Sequence, residues 1–331
     1  MSAPERTSPR FHVSLHLGLL AALLLAAVAL VVDQPSAVVA QSATPVANAD
    51  CAPPASIAAP DVPDAVTDSS PAASPVAVVA VDQITGEAIG ELIDSLAACL
   101  TAGNAETVAT LVTDRYLADA YGGGERMTKA DYLALAPFAP VIPVTVVSVG
   151  EIAFGSQDTA TAQVITIQGN QLRTEEWTFL FRRSRAAPAT PTTAGDGQWL
   201  VHQVALLPSD APSGASEAKA VHQDDSITIS PNTIAGPDVV FTIKNEDQET
   251  HEFLVLRLEQ GATLDELIRP TSDTFPGNIQ IIGQQTILAG ESRTLVFVDL
   301  EPGTYTVVCL LPDADGVPHL ALGETTTFTV S

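Results

Sequence analysis

Cys309 ends a run rich in β-branched residues, Gly303-Thr304-Tyr305-Thr306-Val307-Val308-Cys309, and His319 follows after a loop of nine residues, 310–318. His251 lies upstream in Thr250-His251-Glu252-Phe253. A thiolate and two imidazoles suit copper in both oxidation states, and with a fourth donor they also suit tetrahedral zinc. The same side chains have a plainer reading, two loop histidines and a buried thiol in a fold without metal. No acid–base pair can be placed elsewhere by spacing, so an electron-transfer or binding protein is expected rather than an enzyme.

Composition narrows the field. The chain has 331 residues, enough for about two domains, and 39 Asp+Glu against 14 Lys+Arg give a formal charge of -25. Such a surface repels phosphate backbones, which excludes nucleic acid, and could steer a cationic redox protein. Arg6, Arg10 and His12 precede an apolar run from Leu17 to Val32, and Val38-Val39-Ala40 supplies small residues for cleavage before Gln41. Residues 1–40 therefore read as a signal peptide or, because the run is slightly longer than the usual ~7–15 residue core, as an uncleaved anchor. Either way the expectation is a secreted or otherwise extracytoplasmic protein that touches membrane only through this segment. Three cysteines are too few for a disulfide scaffold. Cys51 and Cys99 either pair or remain isolated thiols, and Cys309 is expected to be free.

The elements that must position these residues follow from periodicity. Residues 41–82, rich in Ala, Pro and Ser, read as a disordered linker. From Gln83, apolar residues at Ile84, Ala88, Ile89, Leu92, Ile93, Leu96 and Leu100 predict a helix, and Val108, Leu111, Val112 and Leu117 a second. Thr128 and Asp131 have capping-box spacing for a third, closed by Pro137. Strands are predicted over 144–154, 159–167, 173–182 and 198–206, with 186–197 a long hairpin loop. Residues 83–208 thus form an α+β unit. A Ser/Ala/Pro-rich stretch, 209–223, reads as a second linker. Residues 224–331 carry short strands at 227–229, 239–244, 251–258, 291–299, 303–309 and 325–330, the pattern of an all-β Greek-key sandwich. A short helix is expected near Thr263-Leu264-Asp265-Glu266.

The order of His251, Cys309 and Pro318-His319 in strands of this kind resembles the cupredoxins, the family of plastocyanin and azurin. The resemblance covers about a third of the chain and implies a copper site held by His251, Cys309 and His319. In that family a methionine usually stands five residues after the second histidine. Here the position is Glu324, in Leu322-Gly323-Glu324, and no methionine follows Met127. A carboxylate is harder than a thioether, so Glu324 as fourth ligand implies a lowered potential and a less blue site, or zinc in place of copper. Residues 83–208 resemble, in pattern alone, the nuclear transport factor 2-like fold that includes polyketide-cyclase-like domains. That resemblance implies a pocket, with Asp114, Tyr116, Tyr121, Tyr132, Glu176 and His202 as the polar residues that could line it.

Overall fold

A computed structural model describes residues 51–60, 62, 79–121, 126–156, 158–184, 196–269 and 274–331. The segment expected to direct export, most of the first linker and most of the 186–197 loop lie outside these residues. The first helix, α1 (Gln83–Thr101), starts where Asp82 accepts a hydrogen bond from the Thr85 N–H at 3.0 Å. That cap satisfies one of the donors a helix start leaves free. Ala88, Ile89, Leu92, Ile93 and Leu96 bury one face. Three further helices follow, α2 (Ala105–Leu111), α3 (Asp114–Tyr121) and α4 (Lys129–Leu135), the last opened by the Thr128–Asp131 capping box.

The strands before the sandwich are β1 (Val79–Ala80), β2 (Val144–Val149), β3 (Ala153–Ser156), β4 (Thr159–Gln168), β5 (Gln171–Arg183) and β6 (Gly197–Leu207). The helices cover one face of this antiparallel sheet, and Ile89, Leu92, Leu117, Trp177, Phe179 and Val201 share a core. Part of the first linker is tied to it. Cys51 and Cys99 form a disulfide, Ile57 bridges Gly197, and Val79 pairs with Phe154. The expectation of disorder through residue 82 is corrected for these described residues. A covalent bond and a short ladder hold what composition alone marks as tether.

The remaining strands are β7 (Ser216–Gln223), β8 (Ser226–Ser230), β9 (Thr233–Ile234), β10 (Val239–Asn245), β11 (His251–Leu258), β12 (Ile279–Ile287), β13 (Ser292–Phe297), β14 (Gly303–Val308) and β15 (Thr325–Val330). Two short helices accompany them, α5 (Asp265–Ile268) and α6 (His319–Leu322). One sheet has the order β12-β11-β14-β15-β9, and β13, β10, β7 and β8 lie together in the other. Between them Phe241 meets Phe253, Phe297 and Phe328 at ring-centroid distances of 5.3, 5.8 and 5.1 Å. Tilted and edge-to-face aromatic contacts of this kind add to their burial. The second linker is corrected as well. Residues 216–223 are a strand between β8 and β10, with Ala218, Ala220 and His222 facing inward on alternate positions and Glu217, Lys219 and Gln223 exposed.

The two parts share one ten-stranded sheet, because β5 pairs with β13 through Leu172–Val296 and Gln171–Phe297. The β4–β5 turn is pressed into the sandwich. Gly169 has φ +62°, and a Cβ there would lie 2.6 Å from the Ile282 carbonyl oxygen. Only glycine fits both the left-handed backbone and the close approach. Asn170 donates from its backbone to the Ile282 carbonyl at 2.8 Å and from its side chain to that of Val298 at 3.0 Å. The buried Gln171 side chain accepts from the Gln284 N–H at 2.9 Å.

Candidate metal centre

Four elements bring His251, Cys309, His319 and Glu324 to one end of the sandwich. His251 opens β11, and Cys309 follows the last residue of β14, its neighbour in the sheet. Pro312 bridges Pro318, and the Asp313 carboxylate accepts from the Asp315 and Val317 N–H groups at 2.9 and 2.8 Å. This local bonding folds the nine-residue loop back on itself. The returning chain is fixed by bonds from the His319 N–H to the Leu311 carbonyl at 3.0 Å and from the Leu320 N–H to that of Cys309 at 2.8 Å. Helix α6 ends at Gly323, whose φ of +109° turns Glu324 inward before β15 begins.

All four side chains are buried, and one donor atom from each lies within 4.8 Å of all the others. Cys309 Sγ is 3.3 Å from His319 Nδ1, and Glu324 Oε2 is 2.9 Å from His251 Nδ1 and 3.2 Å from His319 Nδ1. A tetrahedral ion with ligand distances of ~2.0–2.3 Å needs donors roughly 3.3–3.8 Å apart, so small side-chain shifts would close the set around one ion.

The surroundings suit that role. His319 Nε2 meets Glu249 Oε2 at 3.2 Å, and His251 Nε2 lies 3.6 Å from Asp247 Oδ2. The Glu249 carboxylate on the outer nitrogen of His319 favours a proton there and leaves Nδ1 directed inward, whereas His251 Nε2 makes no hydrogen bond. The loop bearing both acids is pinned by buried Asn245, which donates to the carbonyls of Glu249 at 2.7 Å and Ile287 at 3.1 Å and accepts from the Asp247 N–H at 2.9 Å. The Glu252 N–H donates to Cys309 Sγ at 3.2 Å.

Charge is strongly redistributed without an ion. Burial would raise the Glu324 pKa, but hydrogen bonds from His222, His251 and His319 hold it well below the usual carboxylate range. Burial, with the charges of Glu324 and Glu252 adding to it, pushes the Cys309 thiol far up. Burial would lower the His319 ring, yet the hydrogen bonds and charges of Glu324 and Glu249 raise it overall. The pocket therefore holds protons on sulfur and imidazole in positions a cation could take. A bound cation would favour the thiolate and release those protons.

Sequence reasoning missed His222. Its Nδ1 lies 2.6 Å from Glu324 Oε1, and its fully buried ring stacks on His251 with centroids 5.1 Å apart. It holds one carboxylate oxygen while the other faces His251 and His319. The signal was the alternation Ala218, Ala220, His222 inside a stretch read as linker.

The expected pocket residues divide. Tyr116, Tyr121 and Tyr132 line a cleft of about 330 Å³, whereas Asp114, Glu176 and His202 do not. Asp114 and Glu176 are exposed, and His202 Nδ1 is 3.0 Å from the Thr113 hydroxyl. The buried carboxylate is the neighbour, Glu175, paired with Arg173 at 2.8 Å and accepting from Trp177 Nε1 at 2.9 Å.

No protein-family model matches the chain, and no curated protein matches it in sequence. Among solved structures it is similar to auracyanin from the photosynthetic bacterium Roseiflexus castenholzii, at 20% identity and TM-score 0.26, over 36% of this chain and 99% of that one. Auracyanin A, a blue copper protein of Chloroflexus aurantiacus, matches at 17% identity and TM-score 0.25, over 36% of this chain and 100% of that one. A multicopper oxidase from Campylobacter jejuni matches at 10% identity and TM-score 0.23, over 56% of this chain and 48% of that one. Scores of this size carry no weight for fold or function, which rest here on the chain's own geometry.

Proposed function

We propose that this chain is an exported, cupredoxin-like copper protein that exchanges electrons with a protein partner. The observation that carries the reading is the convergence of His251, Cys309, His319 and Glu324, all buried, from separate elements at one end of a β-sandwich. Copper bound there would supply a one-electron couple. Cys309 would give the thiolate, His251 and His319 the two imidazoles, and Glu324 a carboxylate where a thioether is usual. Anchorage on three strand ends and a self-bonded loop limits rearrangement between oxidation states, as electron transfer requires. The carboxylate favours Cu(II) and so a lower potential than a methionine-ligated site has.

The Cys51–Cys99 disulfide supports an oxidising compartment and hence export. Among the described residues no helix is long and apolar enough to cross a membrane. Helices followed by an antiparallel sheet support a nuclear transport factor 2-like reading of the accessory part. The formal charge of -25 favours a cationic redox partner. Metal analysis of the full chain after loading and dialysis tests the proposal. One copper per chain is expected, dependent on Cys309. Retention of zinc alone, or of no metal, would overturn it.

A further inference from the structure

Along β11, Phe253 and Val255 enter the sandwich interior, whereas Leu254 and Leu256 lie in a separate cluster that Ile142 covers. Glu252 shares the alternate register with Leu254 and Leu256 and so points away from the sandwich core. Its side chain is buried and lines the cleft of about 330 Å³ between this sheet and the helices. A hydrogen bond from the Leu310 backbone serves the carboxyl group, but Oε2 has no partner. A buried carboxylate oxygen without a donor is costly and calls for one.

The other walls indicate which donor. Asp119 and Glu175 also line the cleft, and the one cationic side chain among its described lining residues, Arg173, is already paired with Glu175. Asp119 is paired with Arg115 at 2.8 Å, so one carboxylate, Glu252, remains unbalanced. The apolar walls include Trp177, Tyr121 and Tyr132, the two tyrosine rings lying 5.0 Å apart. Aromatic faces combined with excess negative charge favour a cation over a neutral or anionic ligand. The volume suits a small molecule.

We propose that this cleft binds a small organic ammonium ion, its charged head on Glu252 and its apolar body against Tyr121, Tyr132 and Trp177. The site uses none of the four donor atoms of the metal centre, but Glu252 directly follows His251 and its N–H donates to Cys309 Sγ at 3.2 Å, so the test is made on metal-free protein. Calorimetric titration of the metal-free full chain at pH 8, where Glu252 is ionised and the amine still protonated, with phenethylammonium, 2-phenylethanol and phenylacetate tests it. Saturable binding is expected for the ammonium alone, weakened about tenfold by Glu252→Gln through loss of a charge-assisted bond. Tyr121→Leu, which leaves the sheet untouched, should weaken it several-fold by removing an aromatic face. Equal binding of the alcohol or the carboxylate would overturn the proposal. So would unchanged affinity in both folded variants, or no saturable binding in the millimolar range.

Discussion

Replacing Glu324 by glutamine in the metal-free protein probes the cluster without relying on any ion. The carboxylate accepts from His222, His251 and His319 at 2.6, 2.9 and 3.2 Å with no access to solvent. Charge-assisted bonds exceed neutral ones by about 1 kcal/mol each, so three of them make the variant roughly 3 kcal/mol less stable. For a chain of this size that is a melting-point drop of roughly 6–12 °C. The pH dependence is the sharper signature. Glu324 has a depressed folded-state pKa, so its contribution is present above the unfolded value of 4.5 and lost as pH falls through the folded one. His319 has a raised folded-state pKa, so its share is complete below the unfolded value of 6.5 and lost as pH rises through the folded one. The stability gap between wild type and Glu324→Gln should therefore peak between about pH 4.5 and 6.5 and narrow on both sides. Thermal or urea unfolding from pH 3 to 9 measures it. A gap that does not vary with pH, or a variant as stable as wild type, would refute the charged-cluster account.

Glu252 should act oppositely on the basic side. Burial raises its pKa from 4.5 to about 7, so its contribution is complete below about 4.5 and lost as pH rises to about 7. Glu252→Gln should gain about 3 kcal/mol relative to wild type by pH 8 in chemical unfolding, and an unchanged pH slope would contradict that. Reduction of Cys51–Cys99, 48 residues apart, should cost up to about 4 kcal/mol by chain entropy, read as a lower urea midpoint than in the oxidised protein. With copper bound, Glu324→Met should raise the reduction potential in protein-film voltammetry, and a fall would argue against Glu324 as a ligand.

Much of the site was legible because its residues sit where strand and loop patterns are strong. Cys309 closes a β-branched run, His251 opens a short apolar one, and the Pro-Asp and Gly-Val-Pro steps between Cys309 and His319 mark a loop. His222 was hidden for a compositional reason. The Ser-Asp-Ala-Pro-Ser-Gly-Ala residues before β7 read as linker, and the buried positions of that strand, Ala218 and Ala220, carry little hydrophobic signal. Glu175 was missed in favour of Glu176 because period-two alternation shifts every side chain with a one-residue change of register. The shared sheet could not be read at all. It depends on two pairs, Leu172–Val296 and Gln171–Phe297, more than a hundred residues apart, and on the glycine turn that lets them meet.

The central claim is most directly tested by the visible absorption spectrum of the full chain loaded with one equivalent of Cu(II), recorded beside Cys309→Ser. Direct thiolate ligation predicts an intense sulfur-to-copper charge-transfer band that the serine variant lacks. Copper retained without any band that depends on Cys309 would contradict it.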